Sequence, residues 1–233
     1  NMRVRCLGLV DTVAVDVEGV IRPCCVWDKK SLNLGDAFKG DLQTLWFSEV
    51  FNRARKDIFS KGCDNCFNIC LSDFSRRTGK SFVVKNKKIN YLSKDVEPVV
   101  KKVEPRGNLL EAKESAPIIK PSSVLWTSTI RCNFSCLHCD NWKARPGKEL
   151  SKEEIFGIIG QLKGWLGSFE LIIGGGEPFL RKDIFSVIRM CNRNGIRTQL
   201  TTNGSLLTQS FCDEIISSGL TTLNFSIDGF SSQ

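Results

Sequence analysis

Three cysteines lie close together in the segment IRCNFSCLHCDNW, at Cys132, Cys136 and Cys139. Three thiolates from one short loop can ligate three irons of a 4Fe–4S cluster, which ordinarily takes four cysteine ligands. The fourth iron would then stay open to a small molecule. Zinc is the alternative metal, but a structural zinc site requires four protein ligands. The only histidine, His138, lies between two of the cysteines, too close to complete a tetrahedron easily.

The sequence around this loop predicts an α/β fold with a parallel sheet. From residue 122 onward, four strand-like segments (124–130, 169–173, 196–202 and 221–227) alternate with amphipathic helical patterns, the first of which begins with a capping box of Ser151 and Glu154. Such alternation implies right-handed βαβ units, whose ligands bind at the carboxyl ends of the strands. The unusual segments all follow strand ends: the cysteine loop, GGGEP, NGS and DG. They are therefore expected at one rim of the sheet.

Composition divides the chain of 233 residues into three zones. Residues 1–79 hold six of the 11 cysteines, residues 80–121 hold four of the seven prolines, and the regular pattern fills residues 122–233. Between 80 and 121 ten Lys or Arg face five Asp or Glu, so much of the net charge of +8 lies in a segment that we interpret as a linker. A solvated basic connector is the favoured interpretation, with a nucleic-acid contact as the alternative.

The cellular compartment follows from hydropathy and cysteine use. No apolar run approaches the roughly 20 residues of a membrane helix, and acidic residues interrupt the N-terminal segment, unlike the centre of a signal peptide. Eleven cysteines without a secretion signal argue for metal binding rather than for a disulfide framework. We therefore predict a cytoplasmic metalloprotein without a membrane partner.

The spacing Cys132-x3-Cys136-x2-Cys139 after the first strand, followed by Gly-Gly-Glu-Pro after the second, resembles the radical S-adenosylmethionine (SAM) superfamily. The resemblance implies a partial (β/α) barrel, of which about four βα units are present. In that family the open iron chelates the amino and carboxylate groups of SAM, and the reduced cluster passes one electron to the sulfonium. Methionine and a 5′-deoxyadenosyl radical result, and the radical abstracts hydrogen from the substrate.

The resemblance also implies roles for individual residues at the strand ends. The three cysteines would hold the cluster, and His138 would pack beside the adenine. The turn after the second strand would meet the methionine amino group, a polar pair would follow the third strand, and two side chains near the fourth would reach the ribose hydroxyls. In that order, these residues are Gly175, Gly176 and Glu177; Thr202 and Asn203; and Ser226 and Asp228. Asn-Gly and Asp-Gly are also ordinary turn dipeptides, so a purely structural role stays open for the last four.

The first zone resembles the SPASM and twitch domains, which hold auxiliary iron–sulfur clusters and would form a small cysteine-rich α+β domain. The resemblance rests on the spacing Cys6-x12-Gly19-x4-Cys24 and on the later pair Cys63-x2-Cys66. It implies that these four cysteines ligate a second 4Fe–4S cluster. Cys25 and Cys70 are possible substitutes, and zinc is the alternative metal.

Two features depart from the family pattern. The auxiliary domain ordinarily follows the core, whereas here it precedes it. The sequence also ends after four predicted strands, while the family barrel normally has six, so we expect the chain to be a fragment of a longer protein.

The leading functional hypothesis is a radical SAM enzyme that modifies a peptide or protein, because SPASM and twitch relatives commonly do so. Such an enzyme needs an electron donor such as flavodoxin or ferredoxin. One alternative keeps the chemistry but makes RNA the substrate, with the basic linker contacting phosphates. Another is a non-catalytic metal-binding or electron-transfer module.

Overall fold

The computed structural model describes residues 12–22, 34–61, 82–85, 88–91, 120–137, 139, 141–143 and 147–227. They fall in two compact units, one within 8–55 and 119–233 and the other within 56–118. The strands are β1 Thr12–Val15, β2 Ile21–Arg22, β3 Phe82–Lys85, β4 Lys88–Tyr91, β5 Ser123–Thr129, β6 Glu170–Gly175, β7 Arg197–Thr202 and β8 Thr222–Phe225. The α-helices are α1 Leu42–Trp46, α2 Glu49–Lys61, α3 Lys152–Leu166, α4 Ile184–Arg193 and α5 Gln209–Ser218, with short 3₁₀ helices at Asn141–Lys143 and Pro178–Leu180.

The larger unit is built on one six-stranded sheet with the order β2-β1-β5-β6-β7-β8. Only β2 is antiparallel to its neighbour; every other pair is parallel. The predicted α/β fold is confirmed, and β5 to β8 lie within two residues of the predicted strand boundaries. Because β5 to β8 are parallel, their carboxyl ends share one edge of the sheet.

Helices α3 and α4, which lie between these strands, each bury an apolar face, whereas Ile216 of α5 is 77% exposed. The N-cap of helix α3 is Ser151, whose side chain accepts from the backbone N–H of Glu154, while the Glu154 carboxylate accepts from the backbone N–H of Ser151. Its buried residues are Ile155, Ile158, Ile159, Leu162 and Trp165. Helix α4 buries Val187, Ile188 and Cys191, and α5 ends at Gly219 in the left-handed conformation. The predicted capping box is thus present, and Gly219 is a left-handed C-terminal cap of the common kind.

A hairpin from the first zone extends the same sheet. Strand β1 pairs in parallel with β5, from Thr12 opposite Ser123 to Val15 opposite Trp126. The turn between β1 and β2 requires Gly19, whose φ of +85° is in the region that side chains disfavour and whose added Cβ would press on the Phe38 ring. Gly19 is the glycine of the first-zone cysteine motif, so the motif marks a hairpin turn.

The smaller unit contains an antiparallel hairpin, β3 with β4, in which Phe82 pairs with Tyr91 and Lys85 with Lys88. This hairpin lies inside the segment 80–121 that the sequence analysis interprets as a linker. The zone boundaries at 79 and 121 stay a prediction. Within the described ranges, every helix falls short of the length and apolarity that a membrane span requires.

The buried side chain of Arg181 connects several elements of the larger unit through hydrogen bonds. Its guanidinium donates to the backbone oxygens of Ser128 (3.0 Å) and Leu150 (2.6 Å) and to both carboxylate oxygens of Asp183 (2.7 and 2.9 Å). It also lies 5.1 Å from the centroid of the Trp126 ring. One side chain therefore joins the end of β5, the segment before α3 and the start of α4.

We expect Arg181→Ala to lower the free energy of unfolding by about 3–5 kcal/mol, because two buried carbonyls and a carboxylate lose their donor. Arg189→Ala is the matched control, since Arg189 forms a half-exposed pair with Glu214 at 3.5 Å. That control should change stability by less than about 0.5 kcal/mol. Urea unfolding of both variants checks the prediction, and equal stability losses would contradict it.

Candidate functional site

One pocket brings together most of the described residues that the sequence analysis selects. Its lining comes from the cysteine loop, the turn after β6 and the ends of β7 and β8. The lining residues are Cys132, Phe134, Cys136, Cys139, Asn141, Trp142, Gly174, Gly175, Gly176, Thr201, Thr202, Asn203 and Ser226. His138, Asp228 and the cysteines at 6, 24, 25, 63, 66 and 70 lie outside the described residues.

Several hydrogen bonds shape the cysteine loop. The backbone N–H of Cys139 donates to the backbone oxygen of Cys136 at 3.1 Å, and the Trp142 indole donates to the same oxygen at 3.1 Å. The Asn141 amide donates to the backbone oxygen of Gly175 at 3.0 Å, which fastens the end of the loop to the turn after β6. All three thiols are free and partly exposed in the pocket. Soft thiolate donors of this kind fit an iron–sulfur cluster.

Two glycines at the end of β6, Gly175 in the strand and Gly176 directly after it, make room for the cysteine loop. A Cβ on Gly175 would overlap the carbonyl oxygen of Thr129, and one on Gly176 would overlap that of Arg131. The backbone N–H groups of Gly176 and Glu177 donate to those same two oxygens, each at 2.8 Å. These two glycines therefore allow close approach to the segment that leads from β5 into the cysteine loop.

Glu177 is a buried junction of the site. Its side chain has 0% exposure, and its carboxylate accepts from the Phe179 backbone N–H (3.2 Å), the Thr202 hydroxyl (2.8 Å) and the Asn203 backbone N–H (2.8 Å). The carboxylate thus fixes the end of β7 against the turn after β6. Contact with a ligand ammonium, which the sequence analysis predicts, stays a prediction. The Pro178 that follows marks Glu177 as a helix-capping position.

Asn133, Asn203 and Ser205 join the cysteine loop to the loop after β7. The Asn203 amide donates to Asn133 Oδ1 (2.9 Å), the Asn133 amide to Ser205 Oγ (2.7 Å) and the Ser205 hydroxyl to Asn203 Oδ1 (2.7 Å). Of these three residues, the family resemblance implies a role for Asn203 alone, and not for Asn133 or Ser205. The only sequence signal for these two is their position, directly after Cys132 and in the NGS turn.

Buried and pocket cysteines should differ sharply in reactivity. Burial raises the pKa of Cys191 to about 12, so its thiol stays protonated. In cluster-free protein we expect iodoacetamide to label Cys132, Cys136 and Cys139, which are partly exposed, and to spare Cys191, which is buried. Reconstitution with iron and sulfide should then protect the three pocket cysteines. Peptide mass spectrometry measures both; prompt labelling of Cys191, or no protection after reconstitution, would contradict the prediction.

Comparison with known proteins identifies two matched segments. The family model of the Radical SAM superfamily matches residues 126–233. The SPASM model, an iron–sulfur cluster-binding domain, matches residues 6–67. Both resemblances inferred from cysteine spacing are confirmed, and the predicted cofactors, SAM and iron–sulfur clusters, are those of the two matched families.

Curated relatives match about half of the chain. An AdoMet-dependent heme synthase of Methanosarcina barkeri is 35% identical over 111 residues, which are 47% of this chain and 32% of that protein. A PqqA peptide cyclase of Rhizobium meliloti is 34% identical over 116 residues, 49% of this chain and 31% of that protein. The matched part of the chain thus spans about a third of these relatives' length. The crystal structure of BtrN in complex with AdoMet and 2-DOIA aligns at 20% identity with a TM-score of 0.42, over 47% of each chain.

Proposed function

We propose that this chain, in which residues 126–233 match the Radical SAM family model and residues 6–67 the SPASM model, is a radical SAM enzyme that cleaves S-adenosylmethionine reductively to modify a peptide or protein. The observation that carries the proposal is the placement of the three free thiols of the Cys-x3-Cys-x2-Cys loop in one pocket with the ends of parallel strands. When bound, a reduced 4Fe–4S cluster with SAM at its open iron supplies a 5′-deoxyadenosyl radical.

The residues of the pocket would have separate roles in binding the cluster and in positioning SAM. Cys132, Cys136 and Cys139 would hold the cluster, in a loop that Asn141 fastens to Gly175. The turn at Gly175 and Gly176 would offer backbone groups to the methionine end of SAM. Thr202 is held by Glu177, and Ser226 lines the pocket at the end of β8, where it would meet the ribose. Asp228 would share that role, as the family resemblance implies.

Reductive cleavage is tested directly by product analysis. The chain is reconstituted anaerobically with iron and sulfide, and then mixed with SAM and dithionite. We expect 5′-deoxyadenosine and methionine to form in equal amounts, and no product without dithionite. Absence of 5′-deoxyadenosine from fully reconstituted chain would overturn the proposed activity.

The substrate class has support of a different kind. The chain resembles a PqqA peptide cyclase, a protein named for a peptide substrate, and it carries the SPASM domain that the sequence analysis links to peptide modification. For this chain we propose a peptide or protein substrate and a flavodoxin or ferredoxin as electron donor. A peptide encoded beside the gene should acquire a mass change only when SAM and reductant are present; an unchanged peptide mass would argue against that substrate.

We propose a cytoplasmic location. Many unpaired thiols are typical of a reducing compartment, and the five described cysteines are all free. The 11 cysteines of the chain fit the same environment.

A further inference from the structure

The hydrogen bonds of Asn133, Asn203 and Ser205 form a closed ring, which we call the amide ring. Each side chain donates to the next, over distances of 2.9, 2.7 and 2.7 Å. The backbone N–H of Ser205 adds a second donor to Asn203 Oδ1 at 3.0 Å. Because Asn203 Oδ1 accepts these two hydrogen bonds, the orientation of the side-chain carboxamide is fixed.

This fixed orientation points the Asn203 NH₂ group at the cysteine loop. One N–H of this group donates to Asn133 Oδ1. The same nitrogen lies 4.0 Å from Cys132 Sγ, with the geometry of a hydrogen-bond donor. Phe134 supplies a second donor, from its backbone N–H to Cys132 Sγ at 3.4 Å. Cys132 is therefore the thiol toward which two N–H groups converge.

The backbone of Asn203 is also fixed, by the carboxylate of Glu177. Its backbone N–H donates to the Glu177 carboxylate at 2.8 Å, and the neighbouring Thr202 hydroxyl donates to the same carboxylate. Glu177 is buried, so this end of Asn203 has little freedom. The buried carboxylate fixes the backbone, and the amide ring fixes the side chain against the cysteine loop.

We infer that Asn203 is a positioning residue that acts through Cys132, setting the reduction potential of the cluster rather than only contacting SAM. The inference rests on the proposed function, because it requires a cluster on these cysteines. N–H donors to a ligating sulfur stabilise the negative charge that a cluster gains on one-electron reduction. N–H donors to Cys132 Sγ therefore raise the reduction potential of the cluster and make its one-electron reduction easier. Asn133 and Ser205 contribute by holding the amide in place.

The test compares midpoint potentials of reconstituted full chain without SAM, from dithionite titration followed by electron paramagnetic resonance (EPR). We expect Asn203→Ala to shift the potential to more negative values, and Asn133→Ala to shift it in the same direction by less. Asn194→Ala is the matched control, because it removes an exposed carboxamide that donates to the backbone oxygen of Met190 at the end of α4, outside the residues that line the pocket. It should leave the potential unchanged.

A wild-type potential in Asn203→Ala, with a normal cluster signal, would overturn the inference. Should Asn203→Ala fold poorly, Asn133→Ala supplies the decisive comparison, because it opens the amide ring and leaves the hydrogen bond from Asn203 to Glu177 intact. An unchanged midpoint potential in Asn133→Ala would also overturn the inference. Failure of the proposed function would look different. In that case the wild-type chain itself would assemble no cluster, or SAM would leave its spectrum unaltered.

Discussion

Replacing any one of Cys132, Cys136 and Cys139 by alanine is expected to reduce SAM cleavage to the background of buffer alone. Each thiol is one of only three ligands in the loop, so its loss leaves a cluster with two protein anchors. Iron content should fall by about four atoms per chain relative to wild type, since one 4Fe–4S cluster is lost. Iron analysis and 5′-deoxyadenosine quantification measure the two effects.

Cys212→Ala is the matched control for the cysteine variants. Cys212 is also free and partly exposed, but it lies on α5, outside the residues that line the pocket. It should keep wild-type iron content and activity. Retained SAM cleavage in a pocket-cysteine variant, or a comparable loss of iron in Cys212→Ala, would contradict the assignment of the three ligands.

Glu177→Gln is expected to destabilise the protein in the absence of any ligand, by about 2–4 kcal/mol. The carboxylate accepts three hydrogen bonds, from Phe179, Thr202 and Asn203, with both oxygens in use. An amide of the same shape must turn its NH₂ group toward at least one of these donors. Two donors then face each other in a site with no exposure to water. Chemical denaturation of cluster-free, SAM-free protein measures the loss.

Glu153→Gln supplies the control for Glu177. Glu153 is in the first turn of α3 with a side chain 76% exposed, 3.6 Å from Lys152. Its replacement should change the free energy of unfolding by less than about 0.5 kcal/mol. If Glu177→Gln instead kept wild-type stability and weakened only SAM binding, the carboxylate would act on the ligand, as the sequence analysis predicts, rather than on the loops.

The sheet from β5 to β8 could be predicted because its signals are local. Each strand is a short β-branched or aromatic run between turn residues, and the capping box at Ser151 and the terminal Gly219 mark helix ends within a few residues of sequence. Strand β1 was not predicted as a neighbour of β5. Its run is only four residues long, and Thr12 pairs with Ser123, more than a hundred residues away. Nothing local encodes a parallel partner at that separation.

The candidate site, too, is predictable from the sequence only where its residues are close together along the chain. Cysteine spacing and the Gly-Gly-Glu turn could be recognised because the residues of each motif are close in sequence. Arg181 could not be distinguished from a surface arginine, because its partners Ser128 and Leu150 come from other elements. Asn133 and Ser205 meet only once the loops after β5 and β7 are brought together, 72 positions apart. Residues that position the motifs depend on tertiary structure and were therefore missed.

The proposed activity requires a cluster iron that the three cysteine ligands leave open and that SAM occupies. EPR spectroscopy of dithionite-reduced, reconstituted chain, recorded before and after addition of SAM, tests this requirement. The spectrum of the loop cluster should change on SAM addition, and the change should be absent in Cys136→Ala. An identical spectrum with and without SAM, from wild-type protein of full iron content, would contradict the claim.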